Sequence, residues 1–233
     1  MSRAAASRFA AALLDLLYPP RCAACREGLD SSAEEPFCRT CRDAVDPVPP
    51  GCARCGLPGP DPVCGACLAA PPPFVACRAA GLFGGPLADA VHAFKYGGRP
   101  ALARPLGAWM SAAVSWPTGV AVVAVPLGRR RRIARGYDQA ALLARAAARA
   151  RGLPFLAGAV RRVRETSPQV GRSRAERRAN VRGAFAAGPA VRGRDLVLVD
   201  DVVTTGATAA ACAEALLAAG ARSVAVAALA RAD

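Results

Sequence analysis

Eight of the ten cysteines fall into four C-x-x-C pairs near the start of the chain: Cys22/Cys25, Cys38/Cys41, Cys52/Cys55 and Cys64/Cys67. Two thiolates so spaced sit on one tight turn and reach a single Zn²⁺ at about 2.3 Å; two such turns close a tetrahedral site, so four turns make two sites. The intervening stretches, "REGLDSSAEEPF" and "GLPGPDPV", are polar and rich in Gly and Pro. They bury too little apolar surface to fold without metal. A disulfide framework would need an export signal, and a thioredoxin-like redox pair would occur once, within a βαβ pattern. Two structural zinc ions are therefore expected. Sequential pairing, with Cys22, Cys25, Cys38 and Cys41 on one ion and Cys52, Cys55, Cys64 and Cys67 on the other, needs the shortest loops. Interleaved pairing stays open. Cys77 and Cys212 stand outside the pattern and read as small buried hydrophobes.

The cysteine region runs into "AAPPPF", a proline-stiffened linker. Beyond it the pattern changes to alternating strands and helices. "CRAAGLF" reads as a strand, "PLADAVHAFKY" and "PALARPLGAWMSAAVS" as helices, and "GVAVVAVPL" as a buried strand. "DQAALLARAAARARG" follows as a helix, with Asp138 at its start and Gly152 past its end. The division expected is a short helix over 1–18, a double zinc ribbon over 19–68, a linker over 69–76 and an α/β domain over 77–233. The N-terminal "RFAAALLDLLYPP" is broken by Asp15 and lacks a small-residue cleavage site, so it reads as an amphipathic helix rather than a signal peptide. No apolar run reaches transmembrane length. A cytoplasmic protein with no membrane span is expected.

Charge separates the two parts. Residues 1–77 carry 7 Lys/Arg against 8 Asp/Glu, and residues 78–233 carry 24 against 9. The basic surplus of the second part implies an anionic partner such as a phosphate ester, a pyrophosphate or a nucleic acid. The count alone is weak, because 30 of the 31 basic residues are Arg in an Ala-rich chain, as codon bias would produce.

The closing segment has strand "LVLV", loop "DDVVTTG", helix "ATAAACAEALLAAG" and strand "SVAVAALA". This is a βαβ unit, and its continuous apolar strands imply a parallel sheet covered on both faces. Ligands of such sheets lie outside the carboxyl ends of the strands, where Asp200 and Asp201 fall. A helix N-terminus offers unpaired N–H groups and partial positive charge, so the loop from Val202 to Thr208 reads as a phosphate cradle. Gly206 lets the backbone approach closely, and Thr204, Thr205 and Thr208 add hydroxyls. Two carboxylates do not bind phosphate; they suit hydroxyl groups or a metal. A ribose 5-phosphate satisfies the acids and the loop together.

"VLVDDVVTTGAT" resembles the binding motif of type I phosphoribosyltransferases. The resemblance implies that Asp200 and Asp201 hold the ribose hydroxyls of phosphoribosyl pyrophosphate (PRPP), with Mg²⁺ accompanying it. It also implies that Val202, Val203, Thr204, Thr205, Gly206, Ala207 and Thr208 surround the 5′-phosphate. "LLYPPRCAAC", "FKYGGRPALA", "VPLGRRRRIARGYDQAALLA" and "RRVRETSPQVGRSRAERRANVRGAF" extend the resemblance to the ComF family of competence-associated, phosphoribosyltransferase-like proteins. The implied fold is a type I phosphoribosyltransferase-like parallel sheet with flanking helices, preceded by a double zinc ribbon. In type I members the loop after the second strand touches the pyrophosphate, which makes Gly128, Arg129 and Arg135 candidates; a solvated Arg run fits equally. Lys95, the only lysine, reads either as a phosphate contact or as a surface residue, and His92 as a packing or surface residue.

From Arg161 to Arg182 there are eight arginines and two glutamates, Arg164, Arg174 and Arg178 among them. Such a segment suits a flap that closes over an anion, or a nucleic-acid surface. Thr204 stands where purine-salvage relatives carry a carboxylate that handles a proton, and a hydroxyl does not do so at neutral pH. The resemblance thus implies a PRPP site, with phosphoribosyl transfer to an open acceptor. The alternative it implies is a non-catalytic or PRPP-regulated protein that handles single-stranded DNA, or docks a DNA-uptake protein, in natural transformation.

Overall fold

The computed structural model describes residues 19–29, 35–164, 176 and 180–232. The helix expected over 1–18 lies outside them, as do Arg174 and Arg178. Four parallel strands form the main sheet in the order β1–β6–β5–β2: β1 (Cys77–Leu82), β2 (Ala121–Ala124), β5 (Asp195–Val203) and β6 (Ser223–Arg231). The short β3 (Val160–Arg162) and β4 (Phe185–Ala187) make an antiparallel pair of their own.

The central stretches of the main-sheet strands are apolar because both faces are covered, and alternation along β5 separates the two cores. Val197 and Val199 pack with Leu87, Val91, Phe94, Leu106, Met110 and Leu143. These come from α3 (Gly85–Tyr96), α4 (Ala103–Ala113) and α6 (Gln139–Ala150). Leu196 and Leu198 face the other way, onto Cys212 and Leu216 of α7 (Ala207–Ala218) and onto Val160 and Phe185 of the antiparallel pair. Cys77 and Cys212 are buried here, as their apolar contexts imply.

Local chemistry fixes the helix ends. Asp138 caps α6, its carboxylate accepting from Ala141 N at 3.1 Å, and its other oxygen accepts from Leu127 N at 3.1 Å. Helices α4 and α6 meet at Gly107, where a Cβ would lie 2.6 Å from the Ala146 Cβ and 2.9 Å from the Leu143 carbonyl oxygen.

The cysteine region is two copies of one unit. Cys22 N and Cys52 N donate to Glu27 O and Leu57 O, and Ala23 N and Ala53 N donate to Pro36 O and Pro62 O. The second pair of each copy opens a one-turn helix, α1 (Arg39–Asp43) or α2 (Gly65–Ala69). Both units dock on the sheet domain. Cys22, Phe37 and Cys41 join the α4 core, with the Phe37 ring edge-on to Trp109 at 5.4 Å. In the second unit, Ala53 O accepts from Arg78 at 2.9 Å and Cys55 O from Arg231 at 2.6 Å. Gly56 has a φ of 69°, and a Cβ there would meet the Cys77 carbonyl at 2.4 Å. Of the linker expected over 69–76, Ala69 is the last residue of α2, Phe74 is already in the core, and Val75 N donates to Val224 O.

Two local expectations change. The acids lie inside β5 rather than in the loop, because β6 continues alongside and pairs Asp200 with Ala228 and Val202 with Ala230. The basic stretch after β2 is helical, α5 (Arg129–Arg135), closed by Gly136 at a φ of 78°. None of its residues is buried, so no apolar periodicity marked it.

Candidate functional site

Strand β5 delivers Asp200 and Asp201 to the wall of a cleft of about 800 Å³ at the carboxyl end of the sheet. Asp201 continues the face of Val197 and Val199, towards α3, and is 5% exposed. Its Oδ1 lies 2.8 Å from Lys95 Nζ at the last turn of α3, and its Oδ2 is buried with no hydrogen-bond partner. Asp200 accepts from Asp201 N at 2.8 Å through Oδ1. Burial, and then the charge of Asp201, push its carboxyl up to about 8, against a smaller lowering by Lys95. Two carboxylates with one lysine between them leave room for further positive charge, or for donors such as a diol.

Behind the acids the chain turns into α7. Gly206 adopts the left-handed conformation as the N-cap, and Thr205 Oγ1 accepts from Ala207 N at 3.4 Å. Val202, Thr204 and Thr208 line the cleft. Val203 and Ala207 are packed into the core, and Thr205, Gly206 and Ala207 border a smaller cavity shared with Cys55, Cys67 and Phe74.

The opposite wall is cationic. Arg131 and Arg135 lie one turn apart on the cleft side of α5, while Arg129 and Arg132 face a neighbouring cavity. Arg135 stacks on Tyr96 at 4.8 Å and donates to its hydroxyl at 3.1 Å. Gly128 is the N-cap of α5, outside the cleft lining. Arg162 of β3 reaches the cleft from below. Arg164 donates to Asn180 O at 3.1 Å and Arg182 O at 2.7 Å, clamping the two ends of the Arg-rich segment. Lys95 is thus a partner of Asp201 rather than a surface lysine, and His92 packs between Phe83 and Tyr96 on the surface. Sequence reasoning missed Tyr96, Arg131, Gln139 and Arg162, all of which line the cleft. The helical phase of α5 would have selected Arg131 within its run of four arginines.

The eight cysteines pair sequentially, and the sulfurs within each group lie within 4.8 Å of one another. Cys25 Sγ to Cys38 Sγ and Cys55 Sγ to Cys64 Sγ are each 3.7 Å. A tetrahedron with Zn–S of 2.3 Å has edges of about 3.8 Å. Burial raises the Cys22 and Cys52 thiols, but knuckle amides outweigh it and bring them to about 7 and about 6. Backbone groups thus stabilise thiolates there, and the two clusters fit two structural zinc ions. Among the described residues no helix is long and apolar enough to cross a membrane.

A family model described as a double zinc ribbon domain matches residues 13–69, and one described as a phosphoribosyl transferase domain matches residues 139–233. The DNA utilization protein YhgH of Salmonella typhi is 35% identical over 220 residues, covering 91% of this chain and 96% of that protein. Competence protein F of Haemophilus influenzae is 32% identical over 200 residues, covering 81% and 86%. The chain belongs to the ComF family. Its ComF architecture joins a double zinc ribbon to a phosphoribosyltransferase-type sheet, and the cleft lies where that sheet carries its acidic pair. A B. subtilis glutamine phosphoribosylpyrophosphate amidotransferase structure overlaps 58% of this ComF chain and 30% of that one, at 24% identity and a TM-score of 0.41.

Proposed function

We propose that the cleft binds Mg²⁺–PRPP, in the cytoplasm, as the donor for phosphoribosyl transfer. The observation that carries this reading is the Asp201 carboxylate, nearly buried with Oδ2 unpartnered, across the cleft from a cationic wall and beside a helix N-terminus. Asp200 and Asp201 take the ribose hydroxyls, and the turn from Thr204 to Thr208 takes the 5′-phosphate on the first N–H groups of α7. Lys95, Arg131, Arg135 and Arg162 face the pyrophosphate, while Gly128, the N-cap of α5, and Arg129, which faces the neighbouring cavity, lie outside the cleft lining. The unpartnered carboxylate oxygen suits a hard cation that also takes phosphate oxygens, which is the habit of Mg²⁺. Held there by Asp201, such an ion would supply positive charge to a departing diphosphate.

In the transfer, the bond from the anomeric carbon to pyrophosphate breaks and one to the acceptor nucleophile forms, the acceptor losing its proton. Positioning and charge stabilisation supply the rate, and no covalent enzyme intermediate is needed. Calorimetry with Mg²⁺–PRPP tests the site. Binding is expected for the wild type and strongly weakened in Asp200→Asn/Asp201→Asn; equal affinity in the double variant rules the site out. Acceptor-dependent release of pyrophosphate with cell extract then tests transfer.

A second reading, single-stranded DNA handling with or without catalysis, is favoured by relatives named for DNA utilization and competence and by the surplus of 15 positive charges (24 minus 9) over residues 78–233.

A further inference from the structure

Beside the cleft, and sharing Pro126, Leu127 and Arg162 with it, lies a second cavity of about 590 Å³ that the PRPP reading leaves unused. Three separate elements send arginines to it: Arg129 and Arg132 from α5, Arg145 from α6, and Arg161 and Arg162 from β3. Codon bias scatters arginines; it does not converge them from three elements on one concavity. Among the described residues the only acid in the lining is Asp138, and both its oxygens accept backbone N–H groups, from Leu127 and Ala141. Its single negative charge faces those amides and is outnumbered by the five guanidinium groups of the lining.

The floor differs in kind from the rim. Leu142, Phe155, Leu156 and Val160 give it an apolar surface, and the Arg145 guanidinium stands over the Phe155 ring at 5.6 Å. Phe155 is held in place because its segment extends the sheet: Val122 N donates to Pro154 O and Leu156 N to Val122 O, both within 2.9 Å. An aromatic face fixed on a sheet edge, under a guanidinium and inside a ring of cations, matches one ligand chemistry. A base stacks on the ring while phosphates meet the rim. With Arg162 committed to the cleft, the four arginines Arg129, Arg132, Arg145 and Arg161 still exceed the need of one phosphate, so the fit is to several consecutive phosphates of one strand.

We propose that this cavity is a binding site for single-stranded nucleic acid, with one base on Phe155 and the flanking phosphates on Arg132, Arg145 and Arg161. The site adjoins the PRPP cleft, makes these contacts with residues outside the cleft lining, and gives the second functional reading a place on the molecule. The test uses the full zinc-loaded chain and fluorescence anisotropy with a short fluorescein-labelled oligothymidylate.

Arg132→Ala/Arg145→Ala/Arg161→Ala is expected to flatten the log–log salt dependence of affinity by about 2, from roughly 0.7 per phosphate contact on a single strand. Phe155→Leu keeps the floor apolar, and is expected to weaken binding roughly tenfold with the salt slope unchanged, as for loss of one stacked base. Both variants should bind Mg²⁺–PRPP as the wild type does, since none of the four residues lines that cleft; this also shows that they fold. Wild-type oligothymidylate affinity in either variant overturns the proposal. So does thymidine monophosphate binding as tightly as the oligonucleotide, which would make this a mononucleotide site, or equal affinity for duplex, which leaves no unstacked base for Phe155. Unchanged PRPP binding in Asp200→Asn/Asp201→Asn would sink the cleft reading alone, so the two readings fail separately.

Discussion

Asp200 and Asp201 are neighbours in sequence with opposite orientations, because consecutive strand residues point to opposite faces of a sheet. Asp201 meets Lys95 of α3, while Asp200 turns towards the α7 side, where burial and the adjacent charge hold its carboxyl up at about 8. The sign of the consequence follows from the ordinary value near 3.8. Between about pH 4 and pH 8 the folded chain keeps a proton that the unfolded chain has lost, so this group favours folding at low pH and its contribution is lost as pH rises towards 8. Melting temperature should therefore decline from pH 5 to pH 8, and the decline should be shallower in Asp200→Asn. Ligand binding inverts the preference, since a diol or a cation favours the ionised acid. Mg²⁺–PRPP should release a proton and bind more tightly at pH 8 than at pH 6, with the release read by calorimetry in buffers of different ionisation enthalpy. A pH-independent affinity with no proton release would count against Asp200 as a ligand contact. At this scale the acid pair is legible because its motif is contiguous. The Lys95–Asp201 pair is not, because it joins α3 to β5 across most of the domain and no local pattern announces it.

Elements were legible where burial imposes a period. The strands and the long helices follow from apolar runs, from Asp138 as a cap and from Gly152 and Gly220 as stops, all of which the fold uses as expected. Helix α5 lacks any buried residue and so carries no such signal; its seven residues are held by their own propensity and by Gly136. The extension of β5 through its acids was hidden for the opposite reason, since pairing with β6 overrides the polar character of Asp200 and Asp201. Close helix contacts are set at single positions, and Gly107 is one. Alanine there gains up to about 1 kcal/mol of helix propensity. It also brings a Cβ to 2.6 Å from Ala146 Cβ and 2.9 Å from a backbone carbonyl, which neither helix can relieve by a rotamer change. Overpacking of this kind costs roughly 1–3 kcal/mol, so Gly107→Ala should lower stability by about 1–2 kcal/mol in urea unfolding. A neutral or stabilising result would mean that α4 and α6 slide apart freely.

The zinc ribbons read from sequence as an appendage on a stiff linker, yet they are walls of the main domain. Their docking depends on shape at a distance in sequence: Phe37 against Trp109, Gly56 against Cys77, and Arg231 against the carbonyl of a cysteine in the second unit. The two units do not stand in the same relation to the cleft. The first, through Cys22, Phe37 and Cys41, fills the core around α4. The second places Cys55 and Cys67 in a cavity with Thr205, Gly206 and Ala207, where Phe74 approaches to 3.7 Å of the position a Gly206 Cβ would take. Arg231 ends the strand that pairs with Val203 and also grips Cys55 O, so the second unit and the phosphate turn share a support. Metal analysis should find two zinc ions per chain, and disruption of either site should destabilise the fold, because zinc binding is folding energy for such small units. The two disruptions should then part company in the cleft. Cys67→Ser, compared with Cys41→Ser at temperatures where both remain folded, should weaken Mg²⁺–PRPP binding severalfold more, by loosening the turn that receives the 5′-phosphate. Equal losses of affinity in the two variants would mean that the ribbons support the domain as a whole and that the second has no separate hold on the cleft.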